Sequence, residues 1–188
     1  MRLLDLGLSV QHQLRDLPYP AYLLSMSVIA RRLGQVYADV LPEEGRLLAA
    51  QTADAAKAAY RSGQAAADEA LQLDRRWMEL IERPGIDGPL GMYSAMYTLD
   101  MLACELAGTM KPRAAIGQVT NAAKLPDPMA PAPAEPQLVR VDPGQQADES
   151  SPAVQLMRKY EEVARLAARQ HRTGLTCDPD QIYSIVFG

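Results

Sequence analysis

The stretch EEGRLLAAQTADAAKAAYRSGQAAADEALQLDRRWMELIER, residues 43–83, decides the fold that the sequence predicts. It contains eleven alanines, one isoleucine and no valine, and this composition favours helix over strand. Pro42 precedes it, Pro84 follows it, and no proline lies between them. Because proline disrupts a helix interior, these two residues mark the natural limits of a helical segment. The stretch is therefore expected to form helix over most of its length.

Within this stretch, residues at spacings of three and four form a seam along one helical face. Its first half has small side chains and its second half has large ones, running through Thr52, Ala56, Ala59, Gly63, Ala66 and Ala70 to Leu73, Trp77 and Leu80. Ser62-Gly63 is the expected position of a kink or break, so the stretch is one bent helix or two consecutive helices. The small half is expected to let a neighbouring helix approach closely.

Helices are also predicted outside this stretch, from apolar spacing and from the positions of proline and glycine. They cover about residues 2–15, 20–41, 89–107, 112–124, 152–171 and 181–187. The 89–107 helix is apolar on nearly every side, which is typical of the buried centre of a bundle, and it is the expected neighbour of the 43–83 stretch. The sequence thus predicts an all-α, single-domain bundle of about six or seven helices with a Pro-rich irregular segment.

This acidic, proline-rich segment interrupts the helical pattern at residues 126–152. It holds seven of the fourteen prolines, which favour an extended path, and the one short strand pattern lies at 137–141. The predicted organisation is a bundle core over 1–125, a linker or wrapping segment over 126–152, and C-terminal helices over 153–188 that dock on the core. The segment contains five acidic residues and one basic residue, Arg140. The acids are Asp127, Glu135, Asp142, Asp148 and Glu149.

Composition argues against several partners and compartments. The net charge is −4 and no basic stripe is present, so nucleic acid is not expected as a partner. The longest apolar run near the N-terminus, residues 17–30, is too short to span a bilayer, so no membrane association is expected. The N-terminus lacks the features of a signal peptide, and two cysteines are too few for a disulfide framework. The expected location is the cytoplasm.

Asp100 is the first candidate for a functional residue. Helical spacing puts it on one face with Tyr93, Tyr97 and Cys104, in a segment rich in apolar residues. A carboxylate in such surroundings has a raised pKa and can act as a general acid or base in a pocket. The structural alternative is that Asp100 accepts a hydrogen bond from a tyrosine or pairs with an arginine of another helix.

Other candidates carry weaker signals. His171 and Cys177 lie six residues apart across a turn, and such a pair can form a thiolate nucleophile, but Asp178 beside the thiol opposes its ionisation. The histidines and cysteines lack the close spacing of zinc ligands, and the common nucleotide-binding and hydrolase motifs are missing. No catalytic residue, metal or cofactor is therefore expected, and the balance is against an enzyme. The methionines at 92, 96, 101 and 110 are expected in the core.

Two segments resemble bacterial all-helical immunity proteins, which neutralise toxins used between competing cells. They are ADVLPEEGRLLAAQTADAAKAAYRSG (38–63) and SAMYTLDMLACELAG (94–108). The shared pattern, within residues 20–124, is a leucine-proline helix end, an alanine-rich helix with a glycine, and an apolar helix of small residues. The resemblance implies an all-helical, non-enzymatic protein that covers the active site of a toxin, and it assigns a role to no residue.

Three functions follow as hypotheses. The first is an immunity-type inhibitor, in which the five acids of the proline-rich segment attract a basic toxin such as a nuclease. The second is an enzyme or small-molecule-binding protein with a pocket near Asp100, Tyr93 and Tyr97. The third is a subunit of a helical assembly, for example a homo-oligomer, that uses the seam of 43–83 as its interface.

Overall fold

The computed structural model describes residues 1–121, 144–174 and 177–188. These residues form eight helices: α1 (Leu3–Asp16), α2 (Tyr19–Val36), α3 (Glu43–Ser62), α4 (Ala67–Ile81), α5 (Leu90–Ala107), α6 (Ile116–Val119), α7 (Pro152–Thr173) and α8 (Pro179–Phe187). The described ranges contain no strand beyond an isolated antiparallel bridge between Arg2 and Gln146. The all-α class and the single helical bundle predicted from the sequence are confirmed.

The alanine-rich stretch forms two helices, α3 and α4, rather than one bent helix. The break falls at Gly63, whose φ of 73° lies in the left-handed region that glycine adopts without a steric cost. Because the stretch divides here, the described residues hold more helices than the six or seven expected. The break also allows the small and the large halves of the seam to pack against different neighbours.

The helix α3, which carries Thr52, Ala56 and Ala59 of the small half, packs mainly on α2, whereas α4, which carries the large half, packs mainly on α5. Gly63 and Ala66, also expected in the seam, are exposed. The expected contact with α5 is therefore confirmed for both helices of the stretch, although α5 is the main neighbour of α4 only. Gly34 shows how closely α2 approaches α3, because a Cβ on this residue would lie 2.9 Å from Cβ of Ala49. Thr52, Ala56 and Ala59 are buried inside this chain. An interface between copies would thus have to use residues other than this part of the seam.

Trp77 joins the two halves of the stretch. Its ring is completely buried, and its Nε1 donates a hydrogen bond to Oγ1 of Thr52 at 3.0 Å. The bond satisfies the polar edge of the indole while the ring fills the core between α3, α4 and α5. Leu73 and Leu80 are buried one turn on either side, so α4 presents an apolar face to α5 along its length.

Two helices share the centre of the bundle. As predicted, α5 is buried on most of its surface, including Met92 and Met96. However, α2 is equally central: residues 21–30 are all buried, and the helix packs on α1, α3, α5, α7 and α8. It ends at Val36, five residues earlier than expected, because a turn over 37–40 precedes Leu41-Pro42. The two central helices are joined by a buried hydrogen bond from the Tyr22 hydroxyl to Glu105.

The proline-rich segment is described only from residue 144 onward. Its strand pattern at 137–141 and the acids Asp127, Glu135 and Asp142 lie outside the described residues. Residues 145–147 lie against the N-terminus, where the amide of Leu3 donates to the carbonyl of Gln145 at 2.9 Å and the amide of Ala147 donates to the carbonyl of Met1 at 2.8 Å. This part of the segment therefore wraps on the bundle, ahead of α7.

Of the helix predicted over 112–124, residues 122–124 lie outside the described residues, and α6 covers four of the remaining ones, Ile116–Val119. Arg113 interrupts the predicted helix with a φ of 72°, a left-handed conformation that is uncommon for residues other than glycine. The Arg113 guanidinium donates hydrogen bonds to the carbonyls of Arg15 and Leu17 at the end of α1. These contacts hold the 109–115 connection on the bundle and place its amides near the end of α5.

Candidate functional site

The described residues bring Asp74, Asp100 and Cys104 together where α4 packs on α5, and we call them the α4–α5 polar cluster. One carboxylate oxygen of each aspartate and Sγ of the cysteine lie within 4.8 Å of one another. Asp100 and Cys104 are four residues apart on α5 and so share a helical face, while Asp74 comes from α4. Asp74 lies on α4 between the buried residues Leu73 and Trp77.

One oxygen of the Asp100 carboxylate, Oδ1, is buried and accepts no hydrogen bond from the described residues. Only 5% of the surface of Asp100 is exposed. Burial, followed by the neighbouring charge of Asp74, raises the pKa of Asp100 to about 6. Most buried carboxylates are satisfied by donors, so an unpaired one is unusual. The arrangement leaves Asp100 able to bind a proton or a cation supplied from outside the chain.

Cys104 donates a hydrogen bond from Sγ to Oδ1 of Asp74 at 3.2 Å. Burial is the main reason why the pKa of this thiol is raised to about 12, and the bond to Asp74 and the charge of Asp100 add to the effect. The thiol is therefore protonated at neutral pH and is a poor nucleophile as it stands. A cation at the cluster would reverse this preference by stabilising the thiolate and both carboxylates.

The two tyrosines predicted beside Asp100 do not bond to it in the described structure. The Tyr93 hydroxyl donates to the backbone carbonyl of Ile86, in the turn before α5. Tyr97 is 45% exposed. The sequence-based alternative, in which a tyrosine or an arginine satisfies Asp100, is wrong for the described residues. Helical spacing correctly grouped these residues on α5, but it does not determine where a long side chain finds its partner.

Glu105 is a second buried acid on α5, and sequence reasoning missed it. Its exposed fraction is 6%, close to that of Asp100, but both oxygens accept hydrogen bonds. The Tyr22 hydroxyl donates to Oε2 at 2.8 Å, and the amide of Ala115 donates to Oε1 at 2.6 Å. Burial raises the pKa of Glu105, and these two bonds oppose the rise. Glu105 thus has a structural role that links α2, α5 and the start of α6.

The two described acids of the proline-rich segment make contacts within the chain. Oδ1 of Asp148 accepts hydrogen bonds from the amide and hydroxyl of Ser150, which form a turn before α7. Glu149 pairs with Arg158 at 2.7 Å, and Arg158 also pairs with Glu161 on the same helix at 3.0 Å. Asp148 and Glu149 remain exposed. A partner that binds Glu149 would have to share it with Arg158.

The pairing of His171 with Cys177 finds no support in the described contacts. Sγ of Cys177 lies 3.6 Å from the carbonyl of Asp178 and 3.7 Å from Oε1 of Gln181, while His171 is exposed in the last turn of α7. Burial and then the charge of Asp178 raise the pKa of the Cys177 thiol. As the sequence indicated, Asp178 opposes a thiolate nucleophile at this position.

The start of α8 carries a second group of charged residues, the α8 ion-pair network. Asp178 is the N-cap of α8 and accepts a hydrogen bond from the amide of Asp180. Arg61 of α3 pairs with Asp178 at 2.8 Å, and Arg31 of α2 pairs with Asp180 at 2.9 Å. Lys57 contacts both aspartates. The network fastens the last helix to α2 and α3.

Asp74 is the residue of the α4–α5 polar cluster that sequence reasoning did not single out. A signal was present, because an acid that immediately follows Leu73 on the apolar seam lies at the edge of the buried face. A search for the histidine and cysteine spacing of zinc sites does not detect the cluster, because two of the three groups in the cluster are aspartates. Of the methionines expected in the core, Met92 and Met96 are buried, while Met101 is half-buried and Met110 is exposed.

Comparison with known proteins gives no family assignment. The chain matched no protein-family model, no curated protein and no solved structure. Among the helices that the structure describes, none is long and apolar enough to cross a membrane.

Proposed function

We propose that this protein is a non-enzymatic binding protein, and specifically an immunity-type inhibitor that neutralises a toxin by covering its active site. The observation that carries the proposal is the fold of the two segments that resemble immunity proteins. Residues 43–62 form the alanine-rich helix α3, which ends at a left-handed Gly63, and 94–108 cover most of the apolar helix α5 and its glycine cap. These helices build the core of an all-helical scaffold, which leaves its polar surfaces for a partner.

Charge supports a basic partner. The acidic segment carries Asp127, Glu135, Asp142, Asp148 and Glu149 against a single arginine. Exposed charge of one sign accelerates association with an oppositely charged surface and makes the rate depend on salt. In the described part of the segment, Glu149 is 62% exposed at its side chain even though it pairs with Arg158. It therefore adds to the negative field that a basic toxin would meet.

A growth assay tests the proposal. Each protein encoded beside this gene is produced in a host cell with and without this chain. We expect one of them to arrest growth, the chain to relieve the arrest, and the two proteins to purify as a complex. If no neighbouring product is toxic, or if the toxic one is neither relieved nor bound, the inhibitor function is excluded.

The role of the acids is then measured from association rates at several salt concentrations. One variant neutralises the five acids of the segment as asparagine or glutamine, and a control neutralises five exposed acids elsewhere, namely Asp39, Asp54, Glu79, Glu82 and Asp87. Both variants change the net charge equally. We expect the segment variant to associate more slowly and with a weaker salt dependence than the control. Equal rates in the two variants would show that the segment does not steer the partner.

A second candidate function is the binding of a small ligand at the α4–α5 polar cluster. The observation that favours it is the buried carboxylate of Asp100, whose Oδ1 has no partner among the described residues. Unsatisfied buried charge destabilises a fold unless a ligand or a proton compensates it. Thermal unfolding of the wild type and of Asp100→Asn with a panel of small ions and metabolites tests this candidate, because a true ligand stabilises the wild type alone.

A further inference from the structure

We propose that the α4–α5 polar cluster binds one divalent transition-metal ion of the zinc type through Asp74, Asp100 and Cys104. The proposal rests on the second candidate function, ligand binding beside Asp100, and names the class of ligand. It is independent of toxin inhibition. Zn²⁺ and Co²⁺ are the ions that a site of one thiolate and two carboxylates would take.

The positions of the three groups suit a single ion. Ligands of a tetrahedral ion at about 2.0–2.3 Å stand about 3.5 Å from one another. Sγ of Cys104 lies 3.2 Å from Oδ1 of Asp74, and the three ligand atoms lie within 4.8 Å of one another. Small side-chain rotations of Asp100 and Asp74 would bring all three groups to one centre.

The support for these ligands is rigid. Asp100 and Cys104 lie one turn apart on a helix that is buried on most of its surface. Asp74 comes from α4, which Trp77 and Leu80 hold against α5 with side chains that are completely buried. Metal sites on rigid elements keep their ligands close to the geometry that the ion requires. The chain therefore presents the three groups before any ion arrives.

The charge of the cluster calls for a cation. No lysine, arginine or histidine within the described ranges forms an ion pair with Asp74 or Asp100. Asp100 is 95% buried and its Oδ1 atom is unpartnered in the same part of the chain. A buried carboxylate is stable only when it is neutralised or well hydrogen-bonded. A divalent ion supplies this neutralisation at the point where the three groups converge.

The donor set selects the class of metal. A thiolate ligand favours Zn²⁺ and Co²⁺ over Mg²⁺ and Ca²⁺, which prefer six or more oxygen ligands. Asp74 is half-buried, so water can reach the ion and complete four-coordination. On binding, Sγ of Cys104 forms the bond to the metal and gives up its proton to solvent. The two carboxylates contribute as anions, and no redox change is involved.

Cobalt binding to the full-length chain tests the proposal. The protein is stripped of metal with EDTA, dialysed and titrated with Co²⁺, whose coordination by a thiolate gives a strong near-ultraviolet charge-transfer absorption. We expect this absorption to saturate at one Co²⁺ per chain and to disappear when Zn²⁺ displaces the cobalt. Mg²⁺ and Ca²⁺ should not displace it.

Matched variants assign the ligands. Cys104→Ser should abolish the thiolate absorption, whereas Cys177→Ser, which changes the other buried thiol, should retain it. Asp100→Asn should weaken Co²⁺ binding by at least about tenfold, because the loss of groups that merely support a metal ligand already costs about 10–100-fold in affinity. Circular dichroism and urea denaturation establish that each variant is folded. If Cys104→Ser does not fold, Asp74→Asn at the half-buried position replaces it, and the same tenfold loss is expected.

Several results would overturn the proposal. They are the absence of a thiolate absorption in the folded wild type, its persistence in Cys104→Ser, its loss in Cys177→Ser, and unchanged Co²⁺ affinity in both aspartate variants. Weak binding without the thiolate absorption, for example at the exposed His12 or His171, also counts against the site. The growth assay is read separately, since relief of a toxin by a chain that binds no cobalt refutes the metal site and leaves the inhibitor proposal intact.

Discussion

Two pairs of aspartates in this protein lie in opposite surroundings. At the start of α8, Asp178 and Asp180 lie on the surface and pair with Lys57, Arg61 and Arg31 from the helices beneath. In the α4–α5 polar cluster, both aspartates lie at a helix contact, one of them almost completely buried, and no basic side chain of the described ranges pairs with either. Within the ranges that the structure describes, lysine and arginine side chains pair with the first two aspartates, and none pairs with the second two.

The difference separates a structural use of acids from the ligand-binding use proposed for the α4–α5 polar cluster. The α8 ion-pair network connects a terminal helix to α2 and α3, so its charges contribute to folding. The contact of α4 with α5 is already held by apolar packing around Leu73, Trp77 and Leu80. The acids of the cluster are therefore not needed for that contact and are costly to keep there. Such a cost is expected at a functional site, where stability is given up for binding.

The largest effect is expected from Glu105, the buried acid that is fully hydrogen-bonded. Glu105→Ala removes the acceptor of the Tyr22 hydroxyl and of the Ala115 amide and leaves two buried donors unpaired. We expect the free energy of unfolding to fall by roughly 3 kcal/mol, measured by urea denaturation with circular dichroism. Glu105→Gln is the control, since its amide can accept from Ala115 and donate to the tyrosine oxygen. A loss below about 1 kcal/mol in the alanine variant would show that the two bonds matter little.

Asp100→Asn is expected to stabilise the protein, in contrast to Glu105→Ala. Replacing an unpaired buried carboxylate by a neutral group of the same shape should raise the free energy of unfolding of the metal-free protein by about 1 kcal/mol at neutral pH. The free energy of unfolding is measured by urea denaturation. Glu105→Gln, which also neutralises a buried acid of α5, is measured in parallel for comparison. Destabilisation by Asp100→Asn would mean that the carboxylate has a stabilising partner, and the contrast between the two pairs of aspartates would be lost.

A smaller effect is expected at Asp178, where the cap and the ion pairs can be separated. Asp178→Asn keeps a good N-cap and removes the charge, while Asp178→Ala removes both, so the fall in Tm should be larger for alanine. The hydrogen bond from the Asp180 amide, followed by Lys57 and Arg61, lowers the pKa of Asp178 below its ordinary 3.8. Its contribution to stability is therefore present above pH 3.8 and is lost as the pH falls through the lower folded pKa. Thermal unfolding at neutral and strongly acidic pH should show wild type and Asp178→Asn converging in acid.

The smallest expected effect is that of salt on the difference in Tm between the wild type and the aspartate variants. In about 1 M NaCl the screening length falls to about 3 Å, so the difference in Tm between wild type and Asp178→Asn should shrink. The gain from Asp100→Asn should be nearly unaffected, because its cost comes from burial rather than from exposed charges. A salt-sensitive Asp100 would indicate that solvent reaches the cluster more freely than its burial implies.

Local sequence features predicted much of this fold because they act over one or two turns of helix. The alanine-rich stretch 43–83 is helical over most of its length, as predicted, and the break falls at the predicted Gly63. The identity of the packed neighbours could not be predicted in this way. The pairing of α3 with α2, and the central place of α2, depend on how whole helices share the core.

Only part of the candidate site could be predicted from the sequence. Helical spacing put Asp100 and Cys104 on one face, since both lie on α5. Asp74 is 26 residues earlier than Asp100, and only the packing of α4 against α5 brings it to the site. The expectation of no metal relied on spacing between histidines and cysteines, which cannot detect a group assembled from two helices and composed mostly of aspartates.

Gly34 and Ala49 share one fixed volume where α2 crosses α3. Because a Cβ at position 34 would lie 2.9 Å from Cβ of Ala49, Gly34→Ala alone forces the helices apart, and Ala49→Gly should restore the space. The two positions are thus expected to covary during evolution. Their summed side-chain volume should stay small even where neither residue is conserved. Such a coupled pair offers a way to recognise distant relatives by the shape of this helix crossing.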